Sequence, residues 1–280
     1  MEIAAVGLPV PLESWTGQVH SVFHNSVNLR GPGEALLCVH RFPFGLLPGS
    51  YLVPSLDTSG LRPGDRAVGR TAGLWVGKLE LPLAPDVRYV DTRIPPSRQP
   101  VRPAAWTAQR RALVLRRAEQ QENGWMEGVY ARLTWELAKL RTAVEARDLK
   151  ELQQRCAAMV GLGQGLTPTG DDMLLGALSA LHMYRPEGAA LLAEALKPLL
   201  PCTNDISRSY LWQALEGRAA TPVIMALEDL ASGGGRGAVT LLDIGHSSGG
   251  DILEGILSMT APGEETKRPK EGTRERKEAE

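Results

Sequence analysis

The sequence predicts an α+β protein: a β-rich N-terminal barrel or sandwich followed by an all-helical domain that contains an internal duplication. Three observations predict it. Short apolar runs punctuated by Gly and Pro fill the first 95 residues. Apolar residues recur at helical spacing beyond about residue 104. One glycine-rich pattern occurs twice in the C-terminal half.

In the N-terminal part, apolar runs at 35–39, 51–53, 74–76 and 87–90 read as strands. Leu61-Arg62-Pro63-Gly64-Asp65-Arg66 reads as a turn, because Pro presets φ and Gly supplies a positive φ. Four prolines fall between residues 94 and 103, so 96–103 is expected to be an extended linker between domains 1–95 and 104–261. Beyond it, Val129, Leu133, Leu137, Leu140 and Val144 lie three and four residues apart, the stripe of an amphipathic helix over 125–146. Further helices are expected near 106–121, 149–159, 170–183, 187–199, 205–216, 222–231, 237–243 and 250–260. Residues 262–280 are rich in Glu, Lys and Arg with few apolar side chains, the composition of a disordered tail.

Composition excludes several classes. The 280 residues carry a net charge of −1 and are 43% hydrophobic, as in ordinary globular proteins and unlike dedicated nucleic-acid or anionic-membrane binders. Cys38, Cys156 and Cys202 lack metal-ligand spacing and read as small buried hydrophobes in a reducing compartment. Without a basic, apolar leader or a membrane-length apolar run, the sequence reads as cytoplasmic.

The repeated pattern carries the functional argument. Thr169-Gly170-Asp171-Asp172-Met173-Leu174-Leu175-Gly176-Ala177-Leu178-Ser179 aligns with Ser248-Gly249-Gly250-Asp251-Ile252-Leu253-Glu254-Gly255-Ile256-Leu257-Ser258 at a constant offset of 79 residues. Each copy reads as a helix N-terminus. Thr169 or Ser248 is placed to cap, and Asp172 or Asp251 opposes the positive end of the helix dipole. Gly176 and Gly255 leave bare patches for close helix approach. Read as packing alone, these are two capped helices touching through their glycines.

Three features go further. Gly161, Gly163, Gly165 and Gly170 are more glycines than a cap requires, and such loops expose backbone N–H groups. Asp171 and Asp172 put two carboxylates where one satisfies the dipole. His246, Ser247 and Ser248 add an imidazole and two hydroxyls in the second copy. A helix N-terminus attracts anions that an Asp repels. The conflict resolves with a Mg²⁺ on Asp171 and Asp172, or with an Asp that accepts from a ligand's amide while backbone N–H groups hold its anionic end.

The expected site therefore comprises Asp172, Asp251 and His246 as the chemical groups. Gly163, Gly165, Thr167, Thr169, Gly170, Asp171, Ser247, Ser248 and Gly249 are the binding groups, with Asn28 as a contributor from the β-domain. If the two copies pack about a pseudo-twofold axis, Thr167 to Asp172 and His246 to Asp251 face each other across one cavity.

Two blocks of the same residues carry a family resemblance. Leu162-Gly163-Gln164-Gly165-Leu166-Thr167-Pro168-Thr169-Gly170-Asp171-Asp172 is similar to the signature LGxGLTPSGDD, with Thr169 where Ser is commoner. Gly245-His246-Ser247-Ser248-Gly249-Gly250-Asp251-Ile252-Leu253-Glu254-Gly255 resembles the second block, GHSSGxDxLxG. Val22-Phe23-His24-Asn25-Ser26-Val27-Asn28-Leu29, and Thr203 with Ile206-Ser207, add to the likeness. The family is that of the AllH subunit of oxamate carbamoyltransferase.

The resemblance implies a subunit of a carbamoyltransferase of allantoin and purine nitrogen breakdown. That enzyme interconverts oxalurate plus phosphate with oxamate plus carbamoyl phosphate, alongside AllF-like (FdrA) and AllG-like subunits. No certain cofactor is implied. A non-catalytic amide or ureide binding module, a Mg²⁺-dependent phosphate-handling enzyme and a scaffold for partner subunits are the competing readings.

Overall fold

The computed structural model describes residues 1–11, 13–43, 45–120 and 124–262. The tail expected to be disordered lies, from residue 263 on, outside the described residues.

The first part folds as eight strands: β1 (Ile3–Leu8), β2 (Trp15–Val22), β3 (Ser26–Arg30), β4 (Leu37–His40), β5 (Ser50–Leu52), β6 (Arg66–Arg70), β7 (Gly73–Val76) and β8 (Leu79–Asp91). They form a closed barrel in the order β1-β5-β4-β3-β2-β6-β7-β8, sealed by parallel pairing of β8 with β1. Closure removes the exposed edges that a sandwich would leave. The interior is filled by Ile3, Val6, Val27, Leu29, Val39, Leu74 and Leu81, among others. Gly69 faces Trp15 across the β2–β6 ladder, where a Cβ would stand 2.0 Å from the indole Nε1. Only glycine leaves room for that indole. The expected turn at 61–66 is present: Gly64 takes φ +91°, and Asp65 accepts from the Arg62 N–H at 2.8 Å.

The second part is helical: α1 (Pro103–Glu119), α2 (Gly124–Ala146), α3 (Leu149–Met159), α4 (Thr169–Tyr184), α5 (Pro186–Leu196), α6 (Asp205–Leu215), α7 (Thr221–Ser232), α8 (Arg236–Leu242) and α9 (Ser248–Thr260). The α2 stripe of Val129, Leu133, Leu137, Leu140 and Val144 is buried, as its spacing requires. The helix expected over 187–199 ends early and continues as a 3-10 segment, Lys197–Cys202. Pro198 and Pro201 lack the N–H that an α-helix needs there.

Helices α4 and α9 are the centre of this layer. Of 16 residues in α4, 13 are buried, and of 13 in α9, 11 are buried. Helices enclosed on nearly all sides have no broad solvent face to fill with charged residues. Their crossing is reciprocal: a Cβ on Gly176 would meet the Ile252 carbonyl oxygen at 2.0 Å, and one on Gly255 would meet the Met173 oxygen at 2.0 Å. These two contacts occupy equivalent positions in the two copies of the repeated pattern.

The proline-rich segment is laid along the helices rather than left as a free tether. Ile94 N–H donates to Gly217 O, Ser97 N–H to Met183 O, and Arg102 N–H to Leu230 O, each at 2.8 Å. Barrel and helices also meet directly. Asp205 at the start of α6 binds His20 Nε2 at 3.1 Å and Arg30 Nη2 at 2.7 Å, both from the barrel. Those partners, His20 first, hold its carboxyl below the usual carboxylate range. Leu46 and Thr221 exchange two further hydrogen bonds. Cys38 and Cys156 are buried, and burial pushes both thiols up to about 12. Cys202 is exposed, against the expectation of three buried cysteines, because it ends the 3-10 segment at the surface.

Candidate functional site

Both glycine-rich loops lead into a central helix, and neither helix is capped as the sequence suggested. The residues before α4 and α9 are Pro168 and Ser247, and no side chain caps either helix. Backbone carbonyls close these ends instead. Leu162 O accepts from Gly170 N–H at 2.8 Å, and Ile244 O accepts from Gly249 N–H at 3.0 Å. The first-turn donors a hydroxyl would have capped are taken as well, Asp171 and Asp172 N–H by Pro168 O at 2.9 and 3.1 Å and Asp251 N–H by Ser247 O at 3.0 Å, which releases Thr169 and Ser248 from that task. Ser248 instead meets Thr167 across the two loops, Oγ to Oγ1 at 2.8 Å.

Gly170 and Gly249 also pack tightly, with virtual Cβ positions 2.0 Å from Met159 O and 1.8 Å from Leu241 O. Their amides are occupied and their bodies are walled in, so they build the site rather than contact a ligand. Gly163, at φ +129°, turns the chain against Thr169, itself buried. Gly165, at φ +93°, borders open space.

The two loops converge on one cavity of about 560 Å³. Gly165 and Thr167 form one wall together with Asp172, while His246, Ser247 and Ser248 form another. The barrel closes a third side with Phe23, His24, Asn28 and Phe42, and α6 adds Ile206 and Tyr210. Arg218 places a guanidinium on the lining. Asn28, expected only as a contributor, is on the wall, its Nδ2 donating to Ser21 Oγ at 3.1 Å.

The three aspartates have separated roles. Asp171 faces away from the cavity: Oδ1 accepts from Gly161 N–H at 2.8 Å, and Oδ2 from Thr203 Oγ1 and Ser207 Oγ at 2.5 and 2.6 Å. It fastens the glycine loop to α6 and is not a cavity ligand, contrary to expectation. Among the described residues no group of three or more His, Cys, Asp and Glu is gathered as a metal site.

Asp251, also expected in the cavity, is fully buried behind it. Tyr130 donates to its Oδ1, and Arg117 stands 3.7 Å away while binding Glu254 at 3.0 Å. Arg117 arrives from α1 and Tyr130 from α2, so this carboxylate belongs to the packing of α9 against its neighbours. Equivalent positions in the repeat thus hold different jobs.

Asp172 alone of the three lines the cavity. It is 3% exposed, and its Oδ2 has no hydrogen-bond partner. Burial raises its carboxyl well above the usual carboxylate range, and the nearby charge of Asp251 adds to the rise. The hydroxyls of Thr167 and Ser248 pull the other way without reversing it.

Sequence reasoning missed His24, Tyr210 and Arg218. Arg41, which only donates, meets His24 Nε2 at 2.8 Å, leaving Nδ1 as that ring's donor. The block from Val22 to Leu29 was a usable signal for His24, as Thr203 and Ser207 were for the anchor of Asp171. Nothing local marks Tyr210 or Arg218, which reach the cavity through tertiary packing. His40, by contrast, is core: burial lowers its ring to about 4, and it binds Ser50 Oγ at 3.2 Å.

Comparison with known families places both parts of the chain in one family. Residues 159–260, which contain both loops, match the family described as oxamate carbamoyltransferase subunit AllH. Residues 8–86, which form most of the barrel, match the AllH family N-terminal domain. No solved structure matches the chain. No helix among the described residues is long and apolar enough to cross a membrane. With barrel and loop-bearing helices both matched, the chain belongs to the AllH family.

Proposed function

We propose that this chain is the carbamoyltransferase subunit that binds a small amide-bearing acid, oxamate or oxalurate or a close relative, together with carbamoyl phosphate or phosphate. The observation that carries the reading is one cavity walled by both glycine-rich loops and lined by a carboxyl, that of Asp172, whose Oδ2 has no hydrogen-bond partner. Its volume of about 560 Å³ exceeds what one such acid fills and accommodates two small reactants side by side.

The lining supplies complementary chemistry. Arg218 and donors of the loops meet the anionic ends, and Asp172 meets the amide. In the transfer, the bond between the oxamate nitrogen and the carbamoyl carbon breaks as a phosphate oxygen attacks that carbon. The released nitrogen takes up a proton. His246, exposed at the mouth, is placed to carry that proton and to orient the carbonyl. Thr167, Ser247 and Ser248 supply hydroxyls, and Gly165 leaves space for close approach to the backbone. The family name describes a subunit, so the working enzyme is a multi-subunit complex. AllF-like (FdrA) and AllG-like chains are the partners we propose.

The reciprocal contacts of Gly176 with Ile252 and Gly255 with Met173 support an internal duplication arranged about a pseudo-twofold axis. Asp171, fully engaged with Gly161, Thr203 and Ser207, weighs against the Mg²⁺-dependent alternative.

Calorimetry of the whole chain tests the reading. Oxamate and carbamoyl phosphate are each expected to bind, and Ser248→Val is expected to weaken oxamate about tenfold, the value of one hydrogen bond to a charged group. Absence of binding to the chain, both alone and co-purified with its neighbouring gene products, would overturn it.

A further inference from the structure

Asp172 sits where a charged carboxylate is poorly supported. It is buried, and among the described residues no Lys, Arg or His forms an ion pair with it. The carboxyl of Asp251 faces it from α9, and that of Asp171 stands beside it on its own helix. From α6 the Tyr210 phenol also faces it, kept protonated by burial. The cavity's cationic candidates, His24, His246 and Arg218, lie elsewhere on the lining. Yet Asp172 lines the cavity while its Oδ2 has no hydrogen-bond partner, a deficit that a ligand's polar edge would relieve.

We infer that Asp172 meets its ligand as an uncharged carboxyl group, pairing through one donated and one accepted hydrogen bond with the edge of a primary carboxamide or carbamoyl group. The two edges are complementary. The acid O–H donates to the amide oxygen, and the amide N–H donates to the acid carbonyl. This rests on the proposed binding of an amide-bearing acid and deepens it, because it makes Asp172 the residue that tells an amide from a carboxylate. A second carboxylate in place of the amide offers no N–H and faces the acid carbonyl with lone pairs. The sequence alone suggested the opposite, a charged Asp that only accepts from the amide.

The sign of the pH dependence follows. Burial raises the carboxyl, so the neutral, binding-competent form persists from acid up to that raised value. Above it, affinity falls about tenfold for each pH unit as the proton is lost.

The test measures oxamate and oxalate affinity of the full chain against pH, beside carbon-13 NMR of its aspartate carboxyls. The expected results are an Asp172 carboxyl still protonated at neutral pH and oxamate favoured over oxalate by at least about tenfold. Asp172→Asn, which also presents a donor and an acceptor, is expected to keep oxamate affinity within about threefold and to remove the loss at high pH. An Asp172 carboxyl that ionises in the usual carboxylate range overturns the inference, whether or not Asp172→Asn folds. So does loss of oxamate binding in folded Asp172→Asn, and in both cases wild-type binding leaves the proposed function standing. Absence of binding by either acid overturns both.

Discussion

Leucine in place of Gly176 or Gly255 will destabilise the chain by about 3 kcal/mol, at the upper end of overpacking effects. The reason is geometric. Even a Cβ at either position would stand 2.0 Å from a carbonyl oxygen of the facing helix, and backbone cannot swing aside as a side-chain tip does. The two substitutions are expected to cost similar amounts, because each breaks its half of one reciprocal crossing. They should also disturb the cavity, since α4 and α9 begin at its walls. Urea denaturation of both variants checks this. A cost below about 0.5 kcal/mol, the range of neutral surface changes, would show that the crossing yields easily.

Asp171→Ala is expected to cost about 3 kcal/mol as well, with Asp172→Asn much milder by the same measurement. Removing the Asp171 carboxylate strands the Gly161 N–H and the hydroxyls of Thr203 and Ser207 together. Each orphaned donor costs about 1–3 kcal/mol when buried. Gly161 and Thr203 are partly open to water, so the sum stays near the lower end. Proteolysis should then cut preferentially in the loop over 161–168, whose tether to α6 is gone. Unchanged stability and an uncut loop would show that the three donors find other partners.

That contrast between adjacent aspartates marks the limit of what the sequence conveys. Neighbouring helix positions point about 100° apart, so one of the pair had to turn from any cavity on that side. Pattern alone does not say which. The helices were legible because 3.6-residue spacing and Pro or Gly punctuation fix them locally, as in α3 over Leu149–Met159. Barrel closure was not. The order β1-β5-β4-β3-β2-β6-β7-β8 joins strands distant in sequence, and strand patterns carry no record of their partners. For the same reason Tyr210 and Arg218 were invisible as cavity residues.

Repetition misled in one respect. Asp172 and Asp251 hold equivalent places in the pattern, but Arg117 and Tyr130 reach only the second. Caps were misjudged too, since the carbonyls of Pro168 and Ser247 take the first-turn N–H groups that Thr169 or Ser248 would have capped. Convergence of the loops was expected only on the condition that the two copies pack about a pseudo-twofold axis, which local pattern does not fix.

Both glycine-rich loops are expected to serve one binding site, which amide chemical-shift mapping of the full chain during oxamate titration will test. Gly165 and Thr167 in the first loop are expected to shift together with His246, Ser247 and Ser248 in the second, along one saturation curve. Shifts confined to a single loop, or to a surface away from Asp172, would contradict it.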